Sequence, residues 1–556
     1  MKRPIRRAML WSACLVLLCA LAAHAQARKE RPPRPKLVVV LVVDQMRADY
    51  VERFRQQWTG GLRRLVERGA WFRQAAYPYL NTFTCVGHAT VSTGSFPRGH
   101  GIVANAWFEG GKRTVCTDDA AASVVSYGPP GRGGYSAARL ALPTLADELR
   151  AQADGKTRVV TMSVKARSAI MLAGHRGDAV VWFDAATGAF ETSTAYAQAP
   201  VGFVEKFVKA QPVDQDFGRK WDYALPQGTY LYGEPKQGSS LPRVLRGRGN
   251  KPDTAFYDAW EASPFSDAYL GAMAQAAVDA LSLGKGGGTD FLGVSFSALD
   301  LVGHAVGPRH PAVQDVLVRL DATLGALLDH LDRVVGAGNY VAVLTADHGV
   351  APVPEQAAQE GYSAGRIAPK AVADAVEKAL EPFLGPDKKV AWVSDNDLYF
   401  ALGVYEKLVA NPTAMQAAIA AILGVPGVGR MFRSDELREQ PTINDPIRRA
   451  AALGYFAGRS GDLILVPRPY WFFSEESASV ATTHGTAYGY DARVPIFFLG
   501  YGIRRGVYLT AATPADIAPT LAFLCGVTLA RPDGRVLTEA LEASAAAQPA
   551  RASPSR

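Results

Sequence analysis

Leu37-Val38-Val39-Val40-Leu41-Val42-Val43-Asp44 is the stretch on which the fold turns. Seven consecutive apolar residues, five of them valine, leave no polar alternate to face water. That is the pattern of a strand buried on both faces of a parallel sheet. The run stops abruptly at Asp44, and 61–69 follows with helical spacing and a glycine stop. The same alternation returns at 158–164, at 290–298 with Asp300 just beyond, and at 339–346, ending at Asp347. Helices are expected at 143–152, 266–283, 311–334 and 369–383, with a late strand at 494–500 and a late helix at 513–525. Strands and helices in this order predict an α/β fold, a three-layer sandwich with a mostly parallel central sheet and helices on both faces.

The chain has 556 residues, 48% apolar and 20% charged, more than one ordinary domain needs but suited to a large α/β core with insertions. Insertions or cap elements are expected near 106–135, at 211–264, where periodicity breaks into Gly, Pro, Tyr and charge, and at 384–468. The catalytic domain is expected to span 28–542, and the Ala, Ser, Pro and Arg-rich tail at 543–556 to be disordered. At the other end, Lys2, Arg3, Arg6 and Arg7 precede a short apolar run at 8–23. Ala23-His24-Ala25 and Ala25-Gln26-Ala27 then offer small-residue cleavage sites. This reads as a signal peptide at 1–27, with a periplasmic or secreted product; an uncleaved anchor is the alternative, but the run is short for a span.

Loss of that segment lowers the formal charge from +8 to +4, with 56 basic against 52 acidic residues. Such a mild balance, without a basic-aromatic stripe, does not call for nucleic acid as a specific partner; it suits small anionic substrates. No later stretch is long and apolar enough for stable membrane insertion, and the chain is read as a monomer. Three cysteines remain, Cys85, Cys116 and Cys525, which is not a disulfide framework. One bridge is possible, with Cys85 to Cys116 the first pair to test. There is no CxxC, so any metal is expected on His and carboxylate rather than thiolate.

Those ligands stand where the strands end. Asp44, Asp300 and Asp347 lie at the carboxyl edge, where open α/β sheets bind ligands. One such Asp alone is ordinarily a turn or cap residue; three, two with histidines beside them, point to a site. Asp300 is followed by His304, Asp347 by His348, and His484 sits in a loop of small residues. Six oxygen and imidazole ligands make two three-ligand sites with open positions, which suits two Zn²⁺ ions or another borderline divalent ion. His100, His310 and His330 read as ordinary structural histidines. In Thr82-Phe-Thr84-Cys85-Val-Gly87-His88-Ala-Thr90, a strand-like segment at 72–79 leads into a helix start. A hydroxyl there ordinarily caps the helix. A neighbouring metal would instead hold Thr84 as an alkoxide, beside a helix N-terminus that favours phosphate.

From Val38 to Trp107 the sequence resembles the nucleophile half of the alkaline phosphatase superfamily. Thr-x-Thr-x-x-Gly-His-Ala, followed by Gly-Ile-Val-Ala-Asn105-Ala-Trp, is similar to the PafA-type bacterial alkaline phosphatases with a threonine nucleophile. The likeness runs on through Lys165-Ala-Arg167, Asp300 to His304, Asp347-His348, His484 and Asp516-Ile-Ala-Pro-Thr, most of the mature chain. The resemblance implies one zinc on Asp300, His304 and His484. It implies a second on Asp44, Asp347 and His348, with Thr84 as its nucleophilic ligand. Asn105, Lys165 and Arg167 would contact the phosphoryl oxygens. Cys85-Val86 departs from the family's common Gly-Pro and leaves the shape of the nucleophile turn open.

The implied function is phosphate-monoester hydrolysis through a phosphothreonine intermediate. Two cations at Lys165 and Arg167 favour a monoester dianion over a diester, whose ester substituent needs an apolar pocket. A nucleotide pyrophosphatase/phosphodiesterase-like diesterase is the alternative. A sulfatase would need Pro and Arg at the positions of Gly87 and Ala89. An exported metal- or phosphate-binding protein without turnover is disfavoured by the intact nucleophile motif.

Overall fold

A computed structural model describes residues 34–153, 156–233, 241–438, 444–474 and 480–543. The leader read at 1–27, and all but the first residue of the tail read at 543–556, lie outside the described residues.

Strand β1 (Leu37–Val43) is buried at all seven positions. Nine other strands complete its sheet: β2 (Ala70–Phe72), β3 (Val124–Ser126), β4 (Val159–Ser163), β5 (Ala179–Asp184), β6 (Ala189–Ser193), β7 (Asp290–Phe296), β8 (Tyr340–Thr345), β9 (Ile496–Gly500) and β10 (Gly506–Tyr508). Their spatial order is β10-β2-β9-β8-β1-β7-β4-β5-β6-β3. The valine run is continuous because β1 sits mid-sheet, pairing in parallel with β7 on one side and β8 on the other, Leu37 opposite both Asp290 and Tyr340.

The five consecutive strands from β8 to β5 are parallel, and the flanks are not: β9 runs antiparallel to β8 and β2, and β6 antiparallel to β5 and β3. The result is a large mixed sheet with a parallel centre. The expected strand at 72–79 is confined to β2. Beyond it, Tyr77 donates through its hydroxyl to the Ala346 carbonyl (2.8 Å), and the Tyr79 hydroxyl pairs with Thr90 Oγ1 (2.8 Å). Aromatic spacing of this kind looks like a strand, but here the rings anchor a loop under the carboxyl edge of the sheet.

Two helix layers cover the sheet. On one side, α3 (Pro264–Ala280) packs along α5 (Pro311–Val334) and on β7 and β4. On the other, α1 (Thr84–Thr93) packs along α2 (Ala166–Ala173), which covers β4, β5 and β7. Between β7 and α5 lies α4 (Ala298–Val306).

A smaller four-stranded antiparallel sheet lies apart, in the order Val390–Ser394, Asp397–Phe400, Leu463–Pro467, Val428–Arg433. It has its own apolar core, which includes Val372, Val376, Leu380, Leu398, Ile422 and Leu465. The helix expected at 369–383 is observed at Pro369–Leu384 and belongs to this smaller core. Helical periodicity marks a buried face without saying which core receives it.

Candidate active site

The carboxyl ends of β1, β4, β7 and β8 converge, as the strand order requires. Asp44 follows β1 directly, and its amide donates to the Phe296 carbonyl (2.9 Å), pinning two strand ends together. Asp347 and His348 follow β8. Asp300 stands in the first turn of α4 rather than at a strand end, so Asp300 and His304, four residues apart, share one face of a helix. His484 enters from the loop before β9. Asp44, Asp300 and Asp347 are each at most 2% exposed.

Three buried carboxylates in one place repel each other unless cations lie among them. Lys165 Nζ bridges two of them, 2.9 Å from Asp44 Oδ2 and 2.5 Å from Asp300 Oδ2. Burial works against the charge on Lys165, but the Asp300 and Asp44 carboxylates outweigh it and raise its pKa above the usual lysine value. Burial likewise favours protonation of Asp300, yet Lys165 and His304 hold it well below the usual carboxylate range. For Asp347, burial is outweighed by His348, and the pKa falls to about 2. His348 is raised despite burial, by Asp347 and Asp300. His484 is pushed well below its ordinary value by burial and by His348 and His304, which leaves a neutral imidazole.

The donor atoms suit divalent cations. Each expected ligand histidine ties its Nδ1 to a backbone carbonyl: His304 to Thr482 (2.8 Å), His348 to Gly349 (2.9 Å) and His484 to Thr82 (2.7 Å). That bond fixes the tautomer and ring direction and leaves each Nε2 for the site. His348 Nε2 lies 3.2 Å from Asp347 Oδ2 and 3.4 Å from Thr84 Oγ1; His304 Nε2 lies 3.3 Å from Asp300 Oδ1. Asp347 Oδ2 is enclosed, and its near polar neighbours are imidazole nitrogens, His348 Nε2 at 3.2 Å and His88 Nδ1 at 3.6 Å.

Two groups bring their ligand atoms within 4.8 Å of one another: Asp300, His348 and His484, and Asp44, His88 and Asp347. They divide the ligands differently from the sequence expectation. His348 leans toward Asp300, its ring stacked on His484 at a centroid distance of 3.4 Å, and His304 stands outside the tighter group. His88, quoted in the motif but given no role, has both nitrogens engaged, Nδ1 with the Thr84 carbonyl (2.8 Å) and Nε2 with Ser295 Oγ (2.9 Å). It braces the turn at Thr84 against β7.

Thr84 is the first residue of α1, and the cap residue before it is Phe83, with no side-chain capping bond. The Thr84 hydroxyl is therefore free of the capping role usual at a helix start. Cys85, by contrast, forms a disulfide with Cys116. Asn105 Oδ1 accepts from the Cys85 amide (2.9 Å), which sets Asn105 beside the nucleophile turn. Arg167 follows Lys165 into α2; its Nε is buried without a hydrogen-bond partner, and no carboxylate among the described residues forms an ion pair with it.

Other positioning groups were invisible in the sequence. Gln45 donates from its backbone to Asp347 Oδ1 (3.0 Å) and from Nε2 to Asp300 Oδ1 (2.8 Å), holding two carboxylates at once. Its backbone is left-handed, φ 66°, a strained conformation outside glycine that surrounding contacts must hold. Ser295 and Ser297 donate to Asp44 Oδ1 and Oδ2 (2.7 and 2.9 Å). A polar residue directly after the strand-end Asp was the one signal available for Gln45.

The sequence from 38 to 491 matches the family model described as type I phosphodiesterase / nucleotide pyrophosphatase. The chain belongs to that family. It is 31% identical over 518 residues to alkaline phosphatase PafA of Elizabethkingia meningoseptica, covering 91% of this chain and 93% of that protein. A protein of Myroides odoratus named calcium-transporting ATPase is also 31% identical, over 96% of this chain and 99% of its own length. The crystal structure of wild-type alkaline phosphatase PafA superposes with a TM-score of 0.84 at 30% identity, covering 92% of this chain and 100% of that one. These full-length likenesses support a PafA-type member of the family, a phosphoric monoester hydrolase. Among the described residues no helix is long and apolar enough to cross a membrane.

The approach of α1 to the loop after β8 explains one glycine. A Cβ on Gly87 would lie 2.2 Å from the Asp347 carbonyl oxygen, so only glycine lets the start of α1 pass this close. Gly87→Ala is expected to lower kcat/KM for a phosphate monoester by roughly 100-fold, through displacement of Thr84 from Asp347. Activity within about twofold of wild type would contradict that account of the contact.

Proposed function

We propose that the protein is an exported phosphate monoesterase in which Thr84 is the nucleophile and two Zn²⁺ ions are the cofactors. The observation that carries this reading is the Thr84 hydroxyl: buried, released from capping, and 3.4 Å from His348 Nε2 beside the carboxylates. Asp300, His304 and His484 would hold one ion, and Asp44, Asp347, His348 and Thr84 the other. The position of His304 Nε2, 3.3 Å from Asp300 Oδ1, and the engaged nitrogens of His88 support this division over the tighter grouping.

When bound, such cations lower the pKa of oxygens they hold and offset phosphoryl charge. The chain's own residues do the rest. Thr84 Oγ, as the alkoxide, attacks phosphorus in line. The bond from phosphorus to the leaving oxygen breaks, the electron pair departs with that oxygen, and a phosphothreonine forms. Water then attacks the phosphothreonine from the vacated side and releases Thr84 and phosphate. Asn105, Lys165 and Arg167 would meet the non-bridging oxygens. With cations supplied to Asp44 and Asp300, the Lys165 ammonium that bridges them can turn to the phosphoryl group. Arg167, with no carboxylate paired to it among the described residues, adds a second positive charge for a dianion, whereas a diester carries only one negative charge. This favours the monoesterase over the phosphodiesterase that the family description also admits.

Export to the periplasm or medium is supported by the leader-like sequence at 1–27 and by the Cys85–Cys116 disulfide, a bond that persists in oxidising compartments.

Thr84→Ala is expected to abolish phosphate release from a chromogenic monoester, a loss of more than about 10⁴-fold, while Thr84→Ser retains turnover. Full activity of the alanine variant would sink the assignment. Chelator treatment should remove activity and Zn²⁺ should restore it; restoration by Mg²⁺ alone would contradict the His-rich ligand sets. Replacing Lys165 and Arg167 together by alanine should cost roughly 100-fold more on a monoester than on a diester in kcat/KM. Equal losses on both substrates would show that the two cations do not discriminate.

A further inference from the structure

We propose that the Cys85–Cys116 disulfide is a positioning element of the reaction, locking Asn105 against the nucleophile turn. The proposal rests on the reading of Asn105 as a phosphoryl contact. Asn105 immediately precedes the strand Ala106–Glu109, and Cys116 immediately follows its antiparallel partner, Lys112–Val115. The two residues thus form the base of one hairpin, closed by the Cys116 amide donating to the Asn105 carbonyl (3.0 Å). Across the gap, the Cys85 amide donates to Asn105 Oδ1 (2.9 Å), and the Cys85 sulfur is bonded to that of Cys116. Asn105, Cys116 and Cys85 therefore make a closed ring of two hydrogen bonds and one covalent bond. Both cysteines are fully buried, whereas Asn105 is partly open to solvent and the hairpin tip at Gly110 and Gly111 is exposed.

The ring has a chemical consequence. The Cys85 amide is among the first N–H groups of α1, which have no partner inside the helix. Only a carbonyl oxygen can accept from it, so the Asn105 amide cannot flip, and its NH₂ is the half left to donate to substrate. Hydrogen bonds alone would let the hairpin base move away from the helix; the disulfide sets its distance from Thr84, one residue before Cys85. Cys85 thus acts through Asn105, and the departure at Cys85-Val86 from the common family pattern is one end of a brace.

The experiment is a double-mutant cycle on a chromogenic monoester, with the zinc-loaded enzyme and with metal content and Tm recorded for each variant. Asn105→Ala is expected to lower kcat/KM about 100-fold. The pair Cys85→Ser with Cys116→Ser should lower it about 10-fold at unchanged metal content. In that background Asn105→Ala should cost less than about 10-fold, because the side chain it removes is already misplaced. Loss of stability alone would leave the cost of Asn105→Ala the same in both backgrounds. Should the serine pair not fold, Cys85→Ala with Cys116→Val fills the same space without polar groups. Wild-type kcat/KM in the cysteine pair, or strictly additive losses, would overturn the inference and leave the role of Asn105 intact. A harmless Asn105→Ala in the wild-type background would overturn both.

Discussion

Three carboxylates that share one buried space are the constraint on which this structure depends. Asp44, Asp300 and Asp347 are almost wholly removed from water, where a charge without a partner is far costlier than at a surface. Their mutual repulsion is tolerable only with positive charge among them, and the structure supplies it in layers. Lys165 bridges Asp44 and Asp300, while His348 leans on Asp347. Serine hydroxyls and the Gln45 amide satisfy remaining carboxylate oxygens. The remaining oxygen, Asp347 Oδ2, faces the imidazoles of His348 and His88. An assembly of this kind carries an electrostatic demand for cations, which its two groups of carboxylate and imidazole atoms could meet.

The scaffold explains how such a cluster is held. Parallel strands deliver their carboxyl ends to one edge, so residues hundreds of positions apart meet there. The left-handed Gln45 turns the chain immediately after Asp44 and reaches two other elements. A Cβ on Gly303 would collide with Gln45 Oε1 at 1.9 Å, so a second close approach to α4 keeps that bridge short. Asp267, from α3, accepts from the Ala298 amide (3.2 Å) at the start of the helix that carries Asp300 and His304. Polar groups behind the ligands thus fix them as firmly as the strands do.

The smaller sheet and its helices fold around a separate core, yet they touch the site through one contact of note: Asn396 donates to the Gly485 carbonyl (2.5 Å), next to His484. The loop carrying the third histidine is therefore held from the cap side as well as from the nucleophile turn, where His484 bonds the Thr82 carbonyl. An insertion that looks irregular in sequence thus supports the loop that carries His484.

Much of this protein was determined by its sequence alone. The valine run before Asp44 could only be a central parallel strand, because nothing in it tolerates water on either face. Aspartates at or near strand ends with histidines nearby pointed to a site suited to metal, and the structure gathers such ligand atoms into two groups. Thr84, Asn105, Lys165 and Arg167 were expected as a set only through family resemblance. What only the tertiary structure decided were matters of distance and partner. Lys165 bridging two carboxylates, His88 bracing the nucleophile turn, Gln45 holding Asp300 and Asp347, and Cys85 meeting Cys116 all depend on pairs far apart in the chain. Sequence periodicity reports which face of an element is buried; it carries no information on what lies opposite. Where the chemistry resides in contacts across elements, the fold has to form before the contacts exist to be read.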